Sequence, residues 1–144
     1  MASSAAVAGG AVPALRAALA AEDAAVFGYG VVGAHLTGSR LAAARQDWTG
    51  HQEARDTLAL MIARMDATPA AGQAFYQLPF RVHDATTAMA LAAYLEDGVT
   101  GAYLGLVAVR DTGLRRFAAM AMQGAARRAA YWRGSTQAFP GLVR

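Results

Sequence analysis

The sequence predicts an all-α fold: a four-helix bundle made of two αα-hairpins joined by a long crossover. Three observations carry this. Four segments place apolar residues at alternating spacings of four and three, and none alternates as a half-buried strand does. The second half of the chain repeats the first. One stretch without helical period, rich in Pro, Gly and aromatic residues, separates the halves.

Pro13 suits the first position of a helix, and from it Leu15, Leu19, Glu22, Val26, Tyr29, Gly33 and Leu36 form one seam. Thr37, Gly38 and Ser39 break it. Leu41, Ala44, Trp48, His51, Arg55, Leu58, Ile62 and Met65 then form a second seam. So short a break implies an antiparallel hairpin. From Ala67 to His83 the period is lost. Roughly 17 residues at ~3.3 Å each reach ~50 Å, and a helix of roughly 24 residues is ~36 Å long, so this link can run the length of a bundle. Asp84 is the expected N-cap of the third helix. Met89, Ala92, Glu96, Val99, Tyr103 and Leu106 are its seam, Asp111 to Gly113 turn the chain, and Leu114 to Arg133 form the fourth helix. The expected organisation is a tail over 1–12, one bundle over 13–134 and a C-terminal tail over 135–144.

The repeat is specific. Glu22-Asp23 followed by Tyr29 returns as Glu96-Asp97 followed by Tyr103, an offset that also relates Gly50 to Gly124. Two copied hairpins with one long link point to a bundle of the ferritin-like kind, because a cytokine-like bundle needs two long connections.

A chain of 144 residues can bury a full core. The absence of cysteine excludes disulfides, zinc ribbons and thiol catalysis, and suits a reducing cytoplasm. Ala is about a quarter of the chain and all 13 basic residues are Arg, the signature of a high-GC bacterial genome. The net charge of +3 and pI near 9.8 therefore owe part of their value to codon bias. Arg115, Arg116, Arg127, Arg128 and Arg133 make the fourth helix basic, but no nucleic-acid recognition motif accompanies them. Met1 to Val12 lack the basic and bulky apolar regions of a signal peptide, and the longest uncharged apolar run, Ala24 to Ala34, is too short to cross a bilayer. Gly28-Tyr29-Gly30-Val31-Val32-Gly33 matches a dinucleotide fingerprint by letter, but it lies inside a helix with no strand before it, so its glycines are expected to permit close helix approach. Ser3, Ser4, Ser39 and Ser135 lie outside the helical seams, which leaves no serine hydrolase. Trp48, Tyr131 and Trp132 are expected in core or interface packing.

Glu22 and Glu96 need explaining, since a carboxylate on an apolar seam is costly to bury without a partner. Ferritin-like di-iron proteins place one Glu on each of two helices and Glu-x-x-His on the other two. Here the second and fourth helices carry Arg55-Asp56-Thr57-Leu58 and Arg128-Ala129-Ala130-Tyr131 at the expected level. Reflection through turns centred near residues 38 to 39 and 112 sets Glu22 level with Arg55 and Glu96 level with Arg128. The expectation is two buried ion pairs, Glu22–Arg55 and Glu96–Arg128, in place of two metal ions, with no cofactor. On this reading, Arg55→Ala costs on the order of 3 kcal/mol. The alternatives are one or both arginines tipped outward with the glutamates bonded to Tyr hydroxyls or waters, or a partial metal site of Glu22, His51 and Glu96. His35 and His83 are read as structural or solvent-facing.

The run Ala20 to Gly30, the Arg55-Asp56 pair, Leu78-Pro79-Phe80, Leu95-Glu96-Asp97 and the ending Phe139-Pro140-Gly141-Leu142 resemble an actinobacterial ferritin-like domain family of unknown function. The resemblance implies the ferritin-like fold and no established activity. The functional expectation is a non-catalytic association module, a cytoplasmic homodimer without membrane or nucleic-acid partner. The competing readings are a metal-binding oxidoreductase with a reduced ligand set, and a bundle holding a small apolar ligand near Tyr29, Trp48 and Tyr103.

Overall fold

A computed structural model describes the backbone of residues 4–136 and 138–140, and side chains from residue 10 onward. Met1 to Ser3 of the expected tail, and Gly141 and Leu142 of the resembling C-terminal motif, lie outside the described residues. The described chain is helical: α1 (Ser4–Ala34), α2 (Gly38–Arg64), α3 (Ala85–Ala102), the short α4 (Leu104–Val107) and α5 (Thr112–Arg133). No strand occurs among the described residues.

The helix ends follow local chemistry. Asp84 caps α3 through a reciprocal box with Thr87, in which each side chain satisfies the other's backbone N–H. Asp111 caps α5 by accepting from Leu114 N at 2.8 Å, and Gly134 closes that helix in the left-handed region at φ 78°. The first helix starts at Ser4, not at Pro13. Residues 4–12 are mostly Ala and Gly, Ala is the best helix former, and the fixed φ of Pro13 fits a helix at the loss of one N–H bond. Ala11 is already buried, so both the helix and the core begin before Pro13. The third seam is also interrupted: Tyr103 ends α3, and α4 carries Leu106 into the core.

α1 is the organising helix, packed against α2, α3 and α4, while α5 packs on α3 and α4. α1 and α3 run antiparallel, because Gly28 lies against Leu95 and Ala14 against Gly105. The connection between α2 and α3 lies along α1. Arg16 donates to Thr68 O at 3.1 Å, Gly72 abuts Asp23, and the Phe27 ring meets Phe75 and Tyr76 with centroids 5.7 and 5.5 Å apart. From Gly10 to Ala34, α1 is long and apolar enough to cross a membrane by length and composition, although its midpoint carries the buried Glu22 against the other helices.

The buried apolar residues form two clusters. One gathers Leu15, Leu58, Ile62, Tyr103 and Leu106; the other gathers Tyr29, Val32, Leu36, Leu91 and Trp132. Polar residues lie at their junction: His51 falls between Ala44 and Leu58 on α2, and Glu96 between Ala93 and Val99 on α3. Trp48 is half exposed and donates its indole N–H to Val26 O at 3.1 Å, Tyr131 is exposed, and only Trp132 of the three aromatics is buried.

Gly28 earns its place by proximity, since a Cβ there would overlap the Leu95 methyl groups, whereas a Cβ at Gly98 meets nothing within 4 Å. Gly28→Ala should therefore destabilise by about 1 kcal/mol as crowding outweighs the gain in helix propensity. Gly98→Ala, exposed on α3, should stabilise by up to about 1 kcal/mol. Urea unfolding of the two variants checks the opposite signs.

Candidate functional site: a buried charge network

Glu22 on α1, His51 on α2 and Glu96 on α3 meet at the junction of the two clusters, each almost wholly buried. His51 bridges the glutamates: its Nδ1 lies 2.5 Å from Glu22 Oε2 and its Nε2 lies 2.9 Å from Glu96 Oε1. A neutral imidazole has one N–H donor, and here both ring nitrogens face acceptor-only carboxylates, so the ring is an imidazolium. Burial pulls its pKa down, but the hydrogen bonds and charges of Glu22 and Glu96 prevail and raise it to about 9.

Two tyrosines complete the centre by crossing between the repeats. Tyr103 donates to Glu22 Oε1 at 2.8 Å, and Tyr29 donates to Glu96 Oε1 at 2.6 Å. Each tyrosine of one Glu-x6-Tyr unit thus serves the glutamate of the other. Burial foremost, and then the adjacent glutamate, pushes both phenols far above their usual range, so they remain donors. Arg128 Nε on α5 reaches Glu96 Oε1 at 2.9 Å. Burial opposes the charged form of Glu96, but His51 and Arg128 outweigh it and hold the carboxyl below its ordinary value. Asp47 stands beside this set, accepting from Trp132 Nε1 at 2.9 Å and lying 3.3 Å from the Tyr29 hydroxyl, with its pKa raised first by burial.

The Glu22–Arg55 pair expected from the sequence is not made. Arg55 turns outward and donates to Asp56 Oδ1 at 2.9 Å, and Glu22 takes His51 and Tyr103 instead. The reason is register. The break between α1 and α2 is His35 to Thr37, nearer the N-terminus than the turn assumed above, which brings the residue one helical turn before Arg55 level with Glu22. In the second hairpin the break, Ala108 to Asp111, also lies nearer the N-terminus than the turn assumed above, yet the longer side chain of Arg128 still reaches Glu96. Of the two histidines read as structural or solvent-facing, His35 has a ring nitrogen 3.0 Å from Val31 O of its own helix, and His83 is exposed beside Asp84. Sequence reasoning missed Trp132 as a donor to Asp47; the signal available was an indole facing an acid one turn before His51.

The donor set can be tested against the di-iron centre of ferritin-like bundles. Both oxygens of Glu22 are engaged, both nitrogens of His51 carry protons, and Glu96 Oε1 accepts three donors. Glu96 Oε2 is the one oxygen of the two glutamates without a hydrogen bond among the described residues. A di-iron centre takes four glutamates and two histidines, whereas two glutamates and one histidine meet here and α5 offers a guanidinium where a ligand would stand, so these residues do not fit the group. No cluster of three or more His, Cys, Asp or Glu with metal-binding geometry occurs among the described residues.

The family model described as Domain of unknown function (DUF4439) matches residues 14–144. The chain belongs to this family. Among solved structures, the DUF4439 chain is similar to a conserved hypothetical protein, rv2844, from Mycobacterium tuberculosis, with 28% identity and a TM-score of 0.83 over 92% of this chain and 98% of that one. No curated protein matches it.

The titration of His51 sets a pH window for stability. Its folded pKa of about 9 exceeds the ordinary 6.5, so its stabilising contribution is complete below the lower value and is lost as pH rises through the upper one. The loss should be on the order of 3 kcal/mol. Chemical unfolding across that range should show the decline, and His51→Gln should abolish it; a decline that persists in the variant assigns it elsewhere.

The arginines separate in the same assay. Arg128→Met strands the buried Glu96 and should cost roughly 2–3 kcal/mol, less than a fully enclosed pair because Arg128 is one-third exposed. Arg55→Ala breaks only a surface pair and should cost less than about 1 kcal/mol.

Proposed function

We propose that this DUF4439 protein is a ferritin-like bundle whose metal centre is replaced by an internal ion network, and that it works by association and not by redox catalysis. The observation that carries the reading is the His51 imidazolium held between Glu22 and Glu96. In a di-iron bundle the corresponding carboxylates are bridged by metal cations. Here one imidazolium and one guanidinium supply the two positive charges, and the Tyr29 and Tyr103 hydroxyls donate to Glu96 Oε1 and Glu22 Oε1.

The ferritin-like topology is supported by the antiparallel pairing of α1 with α3 and by the connection lying along α1, both of which favour reading that connection as a crossover between the hairpins. Association as a homodimer is supported by large apolar side chains left at the surface, among them Leu60, Met120 and Tyr131. The apolar-ligand reading draws less support, because the hydroxyls of Tyr29 and Tyr103 are committed to the glutamates and Trp48 bonds outward to α1.

Protein purified without chelators from cells grown with added iron and manganese should contain well under one equivalent of metal per chain. A content of roughly two per chain, as in a di-iron bundle, would falsify the ion-network reading, and so would visible absorption from a bound cluster. Sedimentation of the same sample should give a dimer mass.

A further inference from the structure

A groove of about 460 Å³ opens between α1, α2 and the connection, on the outer side of the charge network. Its volume is in the range of small-molecule sites. Leu19, Val26 and Ala59 form apolar walls, and Phe27 and Tyr76 meet at one end with ring centroids 5.5 Å apart. Three charged side chains reach it: Asp23, Arg55 and Asp56.

These charges do not cancel. Arg55 Nε is committed to Asp56 Oδ1 at 2.9 Å, whereas the Asp23 carboxylate accepts no hydrogen bond among the described residues. Asp23 is half-buried, and burial foremost raises its pKa against the opposing charge of Arg55. The backbone of the connection comes close to this carboxylate at Gly72, where a Cβ would stand 3.0 Å from Asp23 Cγ and Oδ1. A larger residue would cover the acid.

The internal repeat provides a control within the same molecule. The position equivalent to Asp23 is Asp97, and the position equivalent to Ala59 is Arg133. Arg133 forms an ion pair with Asp97, and the groove there is smaller, about 200 Å³. One copy of the hairpin fills this place with an arginine. The other leaves its acid facing an open groove.

We propose that the α1–α2 groove binds a small organic ammonium compound, with Asp23 holding the ammonium and the Phe27 and Tyr76 rings against its apolar body. The net charge of the groove is negative by one, which selects a cation, and the aromatic wall favours an ammonium on electrostatic as well as apolar grounds. The site stands apart from the buried centre and does not depend on how that centre is read.

Phenethylammonium is a suitable probe, with phenethyl alcohol as its neutral counterpart and phenylacetate as the anionic one. Titration followed by calorimetry and by amide chemical shifts should show phenethylammonium perturbing residues around Asp23, Phe27, Gly72 and Tyr76, with the alcohol weaker and phenylacetate weakest. Asp23→Asn should weaken binding by about tenfold or more, as expected for loss of a charged hydrogen-bond acceptor. Ala59→Arg should block it by installing the partner that Asp97 already has, and Asp97→Asn should leave it unchanged. Circular dichroism establishes that each variant is folded. Absence of binding at millimolar probe, equal binding of the alcohol, shifts centred elsewhere, or an unaltered affinity in Asp23→Asn each overturns the proposal.

Discussion

The bridge that His51 makes between Glu22 and Glu96 joins three helices through one side chain, and the packing around it follows from the need to satisfy that chemistry. Two carboxylates at the junction of two apolar clusters would repel each other and lose their hydration. An imidazolium between them removes both penalties only if each ring nitrogen points at a carboxylate, which fixes the relative heights of α1, α2 and α3. The remaining lone pairs then call for Tyr29, Tyr103 and Arg128, and this brings α5 into the same layer. A buried polar set of this kind gives little net stability over apolar packing, but it discriminates strongly against any shifted register.

Much of the bundle was legible because helical period is a strong signal where Ala, Leu and Val alternate with polar residues on a fixed face. The N-cap at Asp84, the turn at Asp111 and the long connection were readable from residue types with defined backbone roles. The start of α1 was not, since Pro13 imitates a helix opening while the Ala-rich segment before it is equally able to be helical. At the site, the glutamates and the repeated tyrosines stood out on their seams. Their partners depended on hairpin register, and a displacement of one turn exchanges His51 for Arg55. No local pattern encodes that displacement, which the packing of Leu41 against Gly33 and Trp48 against Val26 settles.

The two hairpins have diverged at the positions that matter most. His51 on α2 corresponds to Ala125 on α5, and Arg128 on α5 corresponds to Ala54 on α2. The centre therefore receives one cation from each hairpin at different levels. A strictly repeated sequence would supply either two imidazoles or two guanidiniums at equivalent heights. The asymmetry lets Glu96 take both cations while Glu22 takes one, and it is Glu96 that lies deepest.

The crossing of the tyrosines carries a consequence for how such a chain can arise. Tyr29 serves the glutamate of the second hairpin and Tyr103 that of the first, so neither half supplies the tyrosine hydroxyl that its own acid accepts from. A free-standing ancestral hairpin with this Glu-x6-Tyr unit would have met the requirement only by embracing an identical copy about a two-fold axis. In the present chain the connection between α2 and α3 tethers the two halves that exchange these tyrosines, and such a tether lets each half differ from the other.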